Sequence, residues 1–141
     1  MTKTTHFGPH YCERAFRPDE LLAHARKYLE PHVGTFDTIA CSGVSGVVAG
    51  SLLAMVYDKY LTIVRPESDT RGGSGNHYPV AGRMGERWVF VDDLVSTGKT
   101  RARVRHEIHY AMRHKHDVTW VGTYLYDRGA SAWQPALNDA A

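Results

Sequence analysis

A short run near the middle of the chain, VFVDDLVSTGKT over residues 89–100, combines acids, hydroxyls and a glycine. A phosphate needs many donors at close range, and the N–H groups that begin a helix, the missing Cβ of Gly98 and the flanking hydroxyls can supply them. The preceding acids, Asp92 and Asp93, can accept hydrogen bonds from the vicinal hydroxyls of a ribose. The run therefore predicts a site for a ribose 5-phosphate group.

Other interpretations of the run use the same residues. A Thr-Gly pair before a helix is commonly a turn with a cap, and two aspartates after a strand can simply be solvated. The competing functional interpretation is a nucleotide P-loop, whose tail resembles residues 96–100. That pattern requires glycine where Asp93 stands, so the P-loop is excluded.

The elements around this run alternate between strand and helix. Hydrophobic patterning predicts strands over 38–41, 61–64, 88–91 and 118–126, and helices over 18–30, 47–57 and 99–115. Such alternation predicts an α/β fold with a parallel sheet and helices on both faces. Ligands bind such sheets beyond the carboxyl ends of the strands. Those ends carry Ser42, Gly43, Arg65, Asp92, Asp93 and Asp127.

Length and composition favour one small domain, residues 1–141, with a single core. The formal charge of +2 does not call for nucleic acid as a partner. Cys12 and Cys41 show neither a CxxC motif nor metal-ligand spacing, so we expect a reducing cytoplasm. The first residues lack the apolar stretch of a secretion signal, and no run is long enough to cross a membrane.

The run 89–100 resembles the signature with which type I phosphoribosyltransferases bind 5-phosphoribosyl-1-pyrophosphate (PRPP): an apolar strand, two acids, a spacer and Thr-Gly-x-Thr. The order of elements from about Asp19 to Tyr126 also resembles that family. The resemblance implies the family's fold with a minimal hood, a homodimer, and Mg²⁺ bridging ribose hydroxyls and pyrophosphate.

The resemblance also implies roles for individual residues. Asp92 and Asp93 would bind the ribose hydroxyls and act in catalysis, touching Mg²⁺ only through those hydroxyls or water. The turn after the predicted strand 38–41, Ser42 and Gly43, is similar to the family's pyrophosphate loop, and Arg65 is similar to an arginine near pyrophosphate in orotate-type members. The 5-phosphate would be wrapped by Leu94, Val95, Ser96, Thr97, Gly98, Lys99 and Thr100.

The chain departs from the family at the lid and the base pocket. Residues 67–78 are the predicted lid, but they lack the usual lysines, which leaves Arg71 as the predicted catalytic cation, with His77 as a further candidate. Tyr124, Tyr126 and Asp127, with Trp133 nearby, are the base-pocket candidates. Neither orotate nor a 6-oxopurine is assigned as the acceptor.

We therefore predict an enzyme that transfers ribose 5-phosphate from PRPP to a nitrogenous base and releases pyrophosphate. The alternative is a PRPP-sensing regulator without turnover, in which the basic helix would face nucleic acid through Arg101, Arg103, Arg105, Arg113 and Lys115. For an enzyme, nucleic acid and membranes are not expected partners. A hydrolase of a phosphoribosyl metabolite and a structural subunit stay open as further alternatives.

Overall fold

The computed structural model describes residues 2–66, 78–94 and 97–136. Its strands are β1 (Thr38–Cys41), β2 (Tyr60–Val64), β3 (Val80–Gly82), β4 (Arg87–Asp92), β5 (Thr119–Leu125) and β6 (Trp133–Pro135). They form one sheet of six strands in the order β3-β2-β1-β4-β5-β6. The four central strands, β2, β1, β4 and β5, run parallel, which confirms the predicted α/β class.

The two edge strands are antiparallel to their neighbours and depart from the prediction. β3 pairs with β2, and β6 pairs with β5. Each contains only three residues, too few for alternation of apolar and polar side chains to stand out in the sequence. The sheet is therefore mostly parallel, with an antiparallel strand at each edge.

Three helices cover the sheet: α1 (Pro18–Tyr28), α2 (Val44–Tyr57) and α3 (Lys99–Met112). All three were predicted, although α2 begins earlier and α3 ends earlier than expected. Two 3₁₀ helices, His10–Phe16 and Glu30–Thr35, precede and follow α1. Pro31 lies in the first turn of the second one, where its missing N–H costs no hydrogen bond. No helix in the described ranges combines the length and apolar character needed to span a membrane.

The hydrophobic core lies on both faces of the sheet because side chains alternate along each strand. Ile39 packs in a cluster with residues of α1 and α2, whereas its neighbour Ala40 packs in a second cluster with Val104 and Ile108 of α3. Trp88 of β4 belongs to the second cluster and is fully buried. Helices therefore cover both faces, as predicted.

The close packing of α2 against β1 sets the position of the turn between them. A Cβ on Gly50 would lie 2.9 Å from the Cys41 sulfur, so only glycine fits there without a shift. Burial raises the pKa of the Cys41 thiol to about 12, as expected for a core cysteine. The carboxyl end of β1 is thus held directly against the first half of α2.

Candidate functional site

The polar ends of the central strands meet at one edge of the sheet, as the sequence predicts. Cys41 is aligned with Ile63 of β2 and with Val91 of β4, so the next residues of all three strands emerge side by side. These are Ser42 and Gly43 after β1, Arg65 after β2, and Asp92 and Asp93 at the end of β4. Segments that are distant in the chain therefore converge here.

The acid pair is fixed by the main chain. The Asp93 N–H donates to Oδ1 of Asp92 at 2.9 Å, and the Leu94 N–H donates to Oδ1 of Asp93 at 2.7 Å. The Tyr126 N–H donates to the Asp92 carbonyl at 3.0 Å, which joins the end of β5 to the acids. In these main-chain contacts each carboxylate accepts through its Oδ1.

The pKa of Asp92 is raised from 3.8 to about 7, mainly because the carboxyl group is buried. A hydrogen bond with Asp93 and repulsion from its carboxylate raise it further, while the Asp93 N–H lowers it. Charge on Asp92 is therefore unfavourable in the free protein. Hydroxyl donors or a cation beside the pair would relieve that cost.

The turn before α3 ends in a backbone conformation that favours glycine. Gly98 has a φ of 78° and a ψ of 0°, and its carbonyl accepts the first helical bond, from the Ala102 N–H at 2.9 Å. Thr97, Lys99 and Thr100 are exposed beside it. Val95 and Ser96, which complete the predicted phosphate turn, lie outside the described residues, so their role stays a prediction.

The Ser42-Gly43 turn has a similar dependence on glycine. Gly43 precedes α2 with a φ of 78° and a ψ of 168°, a combination almost confined to glycine. A Cβ there would meet no atom within 4 Å, so the backbone conformation, not lack of space, requires glycine. The open space beside Gly43 leaves room for a ligand against the turn.

Arg103 of α3 is a site residue that the sequence analysis places elsewhere. It was assigned to the outward basic face of the helix, but its guanidinium donates to the Arg65 carbonyl at 2.7 Å and to Ser42 Oγ at 3.1 Å. The assignment to a nucleic-acid face is therefore wrong for this residue. Its position in the second turn of α3, right after the glycine turn, is the signal that could have revealed it.

The N-terminal 3₁₀ helix contributes to the same edge, which the sequence did not reveal. The Cys12 thiol lies 3.7 Å from Asp93 Oδ2, and Arg14 donates to the Tyr126 carbonyl. Asp127 follows β5, and its N–H donates to the Asp93 carbonyl at 3.1 Å. Burial, the largest effect, raises the pKa of Asp127. Asp127 therefore stays a candidate for the base pocket.

Two of the base-pocket candidates are core residues instead. Tyr124 and Tyr126 are fully buried, at 0% exposure, because β5 lies inside the sheet and both rings point into the cluster beneath α1 and α2. Tyr124 shares a hydrogen bond with His24, and the Tyr126 hydroxyl donates to Ser45 Oγ at 3.0 Å. Neither ring presents a face to a base, so the prediction that they line the pocket is wrong.

The predicted lid lies outside the described residues. This holds for Arg71 and His77 and for the whole predicted range 67–78 except Tyr78. The catalytic role of Arg71 therefore stays a prediction.

Trp133, the aromatic residue near the predicted base pocket, stacks on His32 with ring centres 4.2 Å apart.

The donor set fits a loosely held magnesium ion. Within the described ranges, no group of three or more His, Cys, Asp or Glu side chains could enclose a metal. Two adjacent carboxylates, one of them with a raised pKa, are compatible with an ion that keeps most of its waters and binds mainly through substrate oxygens. The residues present thus suit indirect contact with Mg²⁺.

The chain matches no protein-family model and no curated protein. It does resemble solved structures. Orotate phosphoribosyltransferase from Aeropyrum pernix is 23% identical with a TM-score of 0.57, over 79% of this chain and 56% of that one. UMP synthase from Leishmania donovani is 20% identical with a TM-score of 0.51, over 79% of this chain and 21% of that one.

These similarities concern the fold. The chain has the α/β fold of the phosphoribosyltransferase structures it resembles, as the sequence analysis expected. It covers less than two thirds of the length of either structure. Parts of those proteins therefore have no counterpart in this chain.

Proposed function

We propose that this protein is a type I phosphoribosyltransferase that transfers ribose 5-phosphate from PRPP to a nitrogenous base. The observation that carries the proposal is the meeting of three features at one sheet edge. They are the hydrogen-bonded acids Asp92 and Asp93, the Gly98 turn that opens α3, and the Ser42-Gly43 turn. These match the ribose, the 5-phosphate and the pyrophosphate of a single ligand.

In the proposed reaction, the bond from the anomeric carbon to a pyrophosphate oxygen breaks and a bond to a base nitrogen forms. Pyrophosphate leaves with the electron pair, and the proton of the base nitrogen passes to solvent water. Asp92 and Asp93 orient the sugar by accepting from its hydroxyls. The Gly98 turn holds the 5-phosphate and the Ser42-Gly43 turn holds the pyrophosphate. The anomeric carbon lies between these two groups and is therefore fixed in position.

The electrostatics of the acid pair support this role. Positive charge develops on the ribose as pyrophosphate leaves, and carboxylates near the ring stabilise it. The pKa of Asp92, about 7 in the free protein, should fall once ligand donors surround it. When bound, Mg²⁺ would neutralise pyrophosphate oxygens and help them leave.

The acceptor base would lie beside Asp127 and the N-terminal 3₁₀ helix. Asp127 can accept from an exocyclic amino group or a ring N–H. Nearby, Cys12 contacts Asp93 and Arg14 donates to the Tyr126 carbonyl. This neighbourhood replaces the buried tyrosines as the proposed base pocket. Arg71 of the predicted lid is proposed to approach the pyrophosphate.

We also propose a homodimer in the cytoplasm. Helix α2 exposes apolar side chains, with Val44 at 78% and Met55 at 73% exposure, which supports association with another chain. Sedimentation velocity at micromolar concentration tests this. A single species of 15.8 kDa would contradict the dimer.

A PRPP-sensing regulator is the second candidate, and the surface of α3 favours it. A groove of about 630 Å³ there is lined by Arg101, Arg105 and Arg113 together with Trp120 and Tyr110. Arginines beside aromatic rings are typical of surfaces that bind single-stranded nucleic acid. Turnover with any base would favour the enzyme, whereas PRPP-dependent RNA binding without turnover would favour the regulator.

The direct test of the enzyme proposal is a turnover assay with PRPP, Mg²⁺ and a panel of purine and pyrimidine bases. Pyrophosphate release that requires a base is the expected result. The matched variant Asp92→Asn with Asp93→Asn should lose turnover while keeping its circular dichroism spectrum, because both acids lie at the ligand-facing end of β4. Release that persists in that variant would contradict the assigned site.

A further inference from the structure

Arg103 joins three separate elements at the candidate site. It belongs to α3, and its two terminal nitrogens donate to the carbonyl of Arg65 after β2 and to the hydroxyl of Ser42 after β1. The two acceptors come from turns that are adjacent in the sheet but 23 residues apart in the chain. One forked side chain therefore fixes the spacing between these turns.

The cluster around Arg103 also has unused donor capacity. A guanidinium carries five N–H donors, and the two described contacts use only two of them. The Nε of Arg65 is buried and has no hydrogen-bond partner among the described residues. Buried donors of this kind are normally satisfied, so an unpaired one points to an acceptor that binds there.

Ser42 makes the location of that acceptor more specific. Its side chain is buried at 9% exposure and accepts from Arg103, and the next residue is Gly43 with its left-handed φ. An anion beside this turn would meet main-chain N–H groups and the charge of Arg103. A diphosphate, with oxygens on two phosphorus atoms, can contact both turns together.

We propose that Arg103 is the positioning residue of the pyrophosphate subsite, holding the Ser42-Gly43 turn against Arg65 and giving the subsite its positive charge. The inference rests on the proposed function and deepens it. Arg103 on α3 would supply part of the positive charge that lysines would otherwise provide, because the predicted lid contains no lysine. The subsite then selects ligands that carry a diphosphate over those that carry only the 5-phosphate.

The test compares Arg103→Met with Arg101→Met, a matched control on the same helix. Arg101 donates to Gln134 at 3.2 Å and stacks on Trp120, away from Ser42. Isothermal titration measures binding of pyrophosphate, PRPP and ribose 5-phosphate, each with Mg²⁺. Arg103→Met should weaken pyrophosphate and PRPP binding about tenfold or more, since hydrogen bonds to charged groups have that worth. Ribose 5-phosphate binding should change less than about twofold, and Arg101→Met should leave all three unchanged.

Arg103→Lys tests whether pyrophosphate binding needs the forked guanidinium of arginine or only its positive charge. Lysine keeps the charge but cannot bridge both turns in the planar geometry of arginine, so it should restore pyrophosphate binding only partly. Ser42→Ala removes one of the two Arg103 contacts and should also weaken pyrophosphate binding. It replaces Arg103→Met as the test if that variant does not fold. Retained ribose 5-phosphate binding reports that each variant is folded.

The outcomes distinguish the two proposals. If the unmodified protein binds PRPP and Arg103→Met binds pyrophosphate equally well, the inference about Arg103 is wrong and the proposed function stands. An equal loss for pyrophosphate and ribose 5-phosphate would also overturn it, because the effect would then be general. If the unmodified protein binds neither PRPP nor pyrophosphate, the proposed function fails, and the inference with it.

Discussion

Replacing Asp92 with asparagine should stabilise the ligand-free protein at neutral pH although it removes a functional group. The pKa of Asp92 is about 7 in the folded protein, against 3.8 for the unperturbed group. The folded state therefore binds more protons than the unfolded state between about pH 4 and 7, and stability falls as the pH rises through that window. Asparagine cannot ionise, so the variant escapes this loss.

The size of the effect follows from the shift. About three pKa units at about 1.4 kcal/mol each set an upper bound of about 4 kcal/mol on the free energy of unfolding. Solvent reaches part of the side chain and screens the charge, so we expect about 2 kcal/mol at pH 8. About two of the three pKa units of the shift lie above pH 5. The gain in the free energy of unfolding at pH 5 should therefore be less than about 1 kcal/mol.

Urea denaturation at pH 5 and pH 8 measures this difference. The control is Asp117→Asn, which removes an exposed carboxylate and should change stability by less than about 0.5 kcal/mol at either pH. The Asp92→Asn amide oxygen can still accept from the Asp93 N–H, so that contact is kept. A variant that is no more stable than the unmodified protein at pH 8, or a gain in stability that does not grow with pH, would show that the charge of Asp92 does not destabilise the folded protein.

Two further predictions concern glycines. Gly85→Ala should destabilise the protein by about 2 kcal/mol, because its Cβ would lie 2.3 Å from Asp37 Oδ1, whereas the control Gly34→Ala has no atom within 4 Å of its Cβ; equal urea midpoints for the two variants would contradict this. Gly98→Ala should cost about 1–2 kcal/mol from its φ of 78° alone and weaken ribose 5-phosphate binding, with Gly98→Asn less affected. Calorimetry that finds unchanged phosphate affinity in Gly98→Ala would remove the turn from the site.

Much of the fold could be predicted because the central strands are short apolar runs separated by helical patterns. The edge that gathers Ser42, Arg65 and Asp92 follows from parallel topology alone. The edge strands β3 and β6 could not be predicted, because each is three residues long and is defined by pairing with a distant partner. Local sequence carries little information about such pairing.

The wrong predictions at the site concern residues whose side chains point in a direction that the sequence does not reveal. Tyr124 lies in β5 and Tyr126 directly follows its end, and both rings pack in the same core cluster. Residues two apart along an extended chain point to the same face, and the sequence alone does not say whether that face is core or pocket. The same holds for Arg103, which lies two residues after Arg101 on α3 and therefore on a different side of the helix. Which side faces the ligand depends on how α3 packs on the sheet.

Calorimetric titration of PRPP into the protein, with and without Mg²⁺, tests whether this sheet edge is a PRPP site. We expect binding that requires Mg²⁺ and that disappears in the Asp92→Asn, Asp93→Asn double variant, which should remain folded. A ligand present at a hundred times its Kd would also raise the free energy of unfolding by about 2.7 kcal/mol. No heat and no thermal stabilisation at millimolar PRPP would show that the protein does not bind PRPP, and equal binding by the double variant would show that the two acids do not hold it.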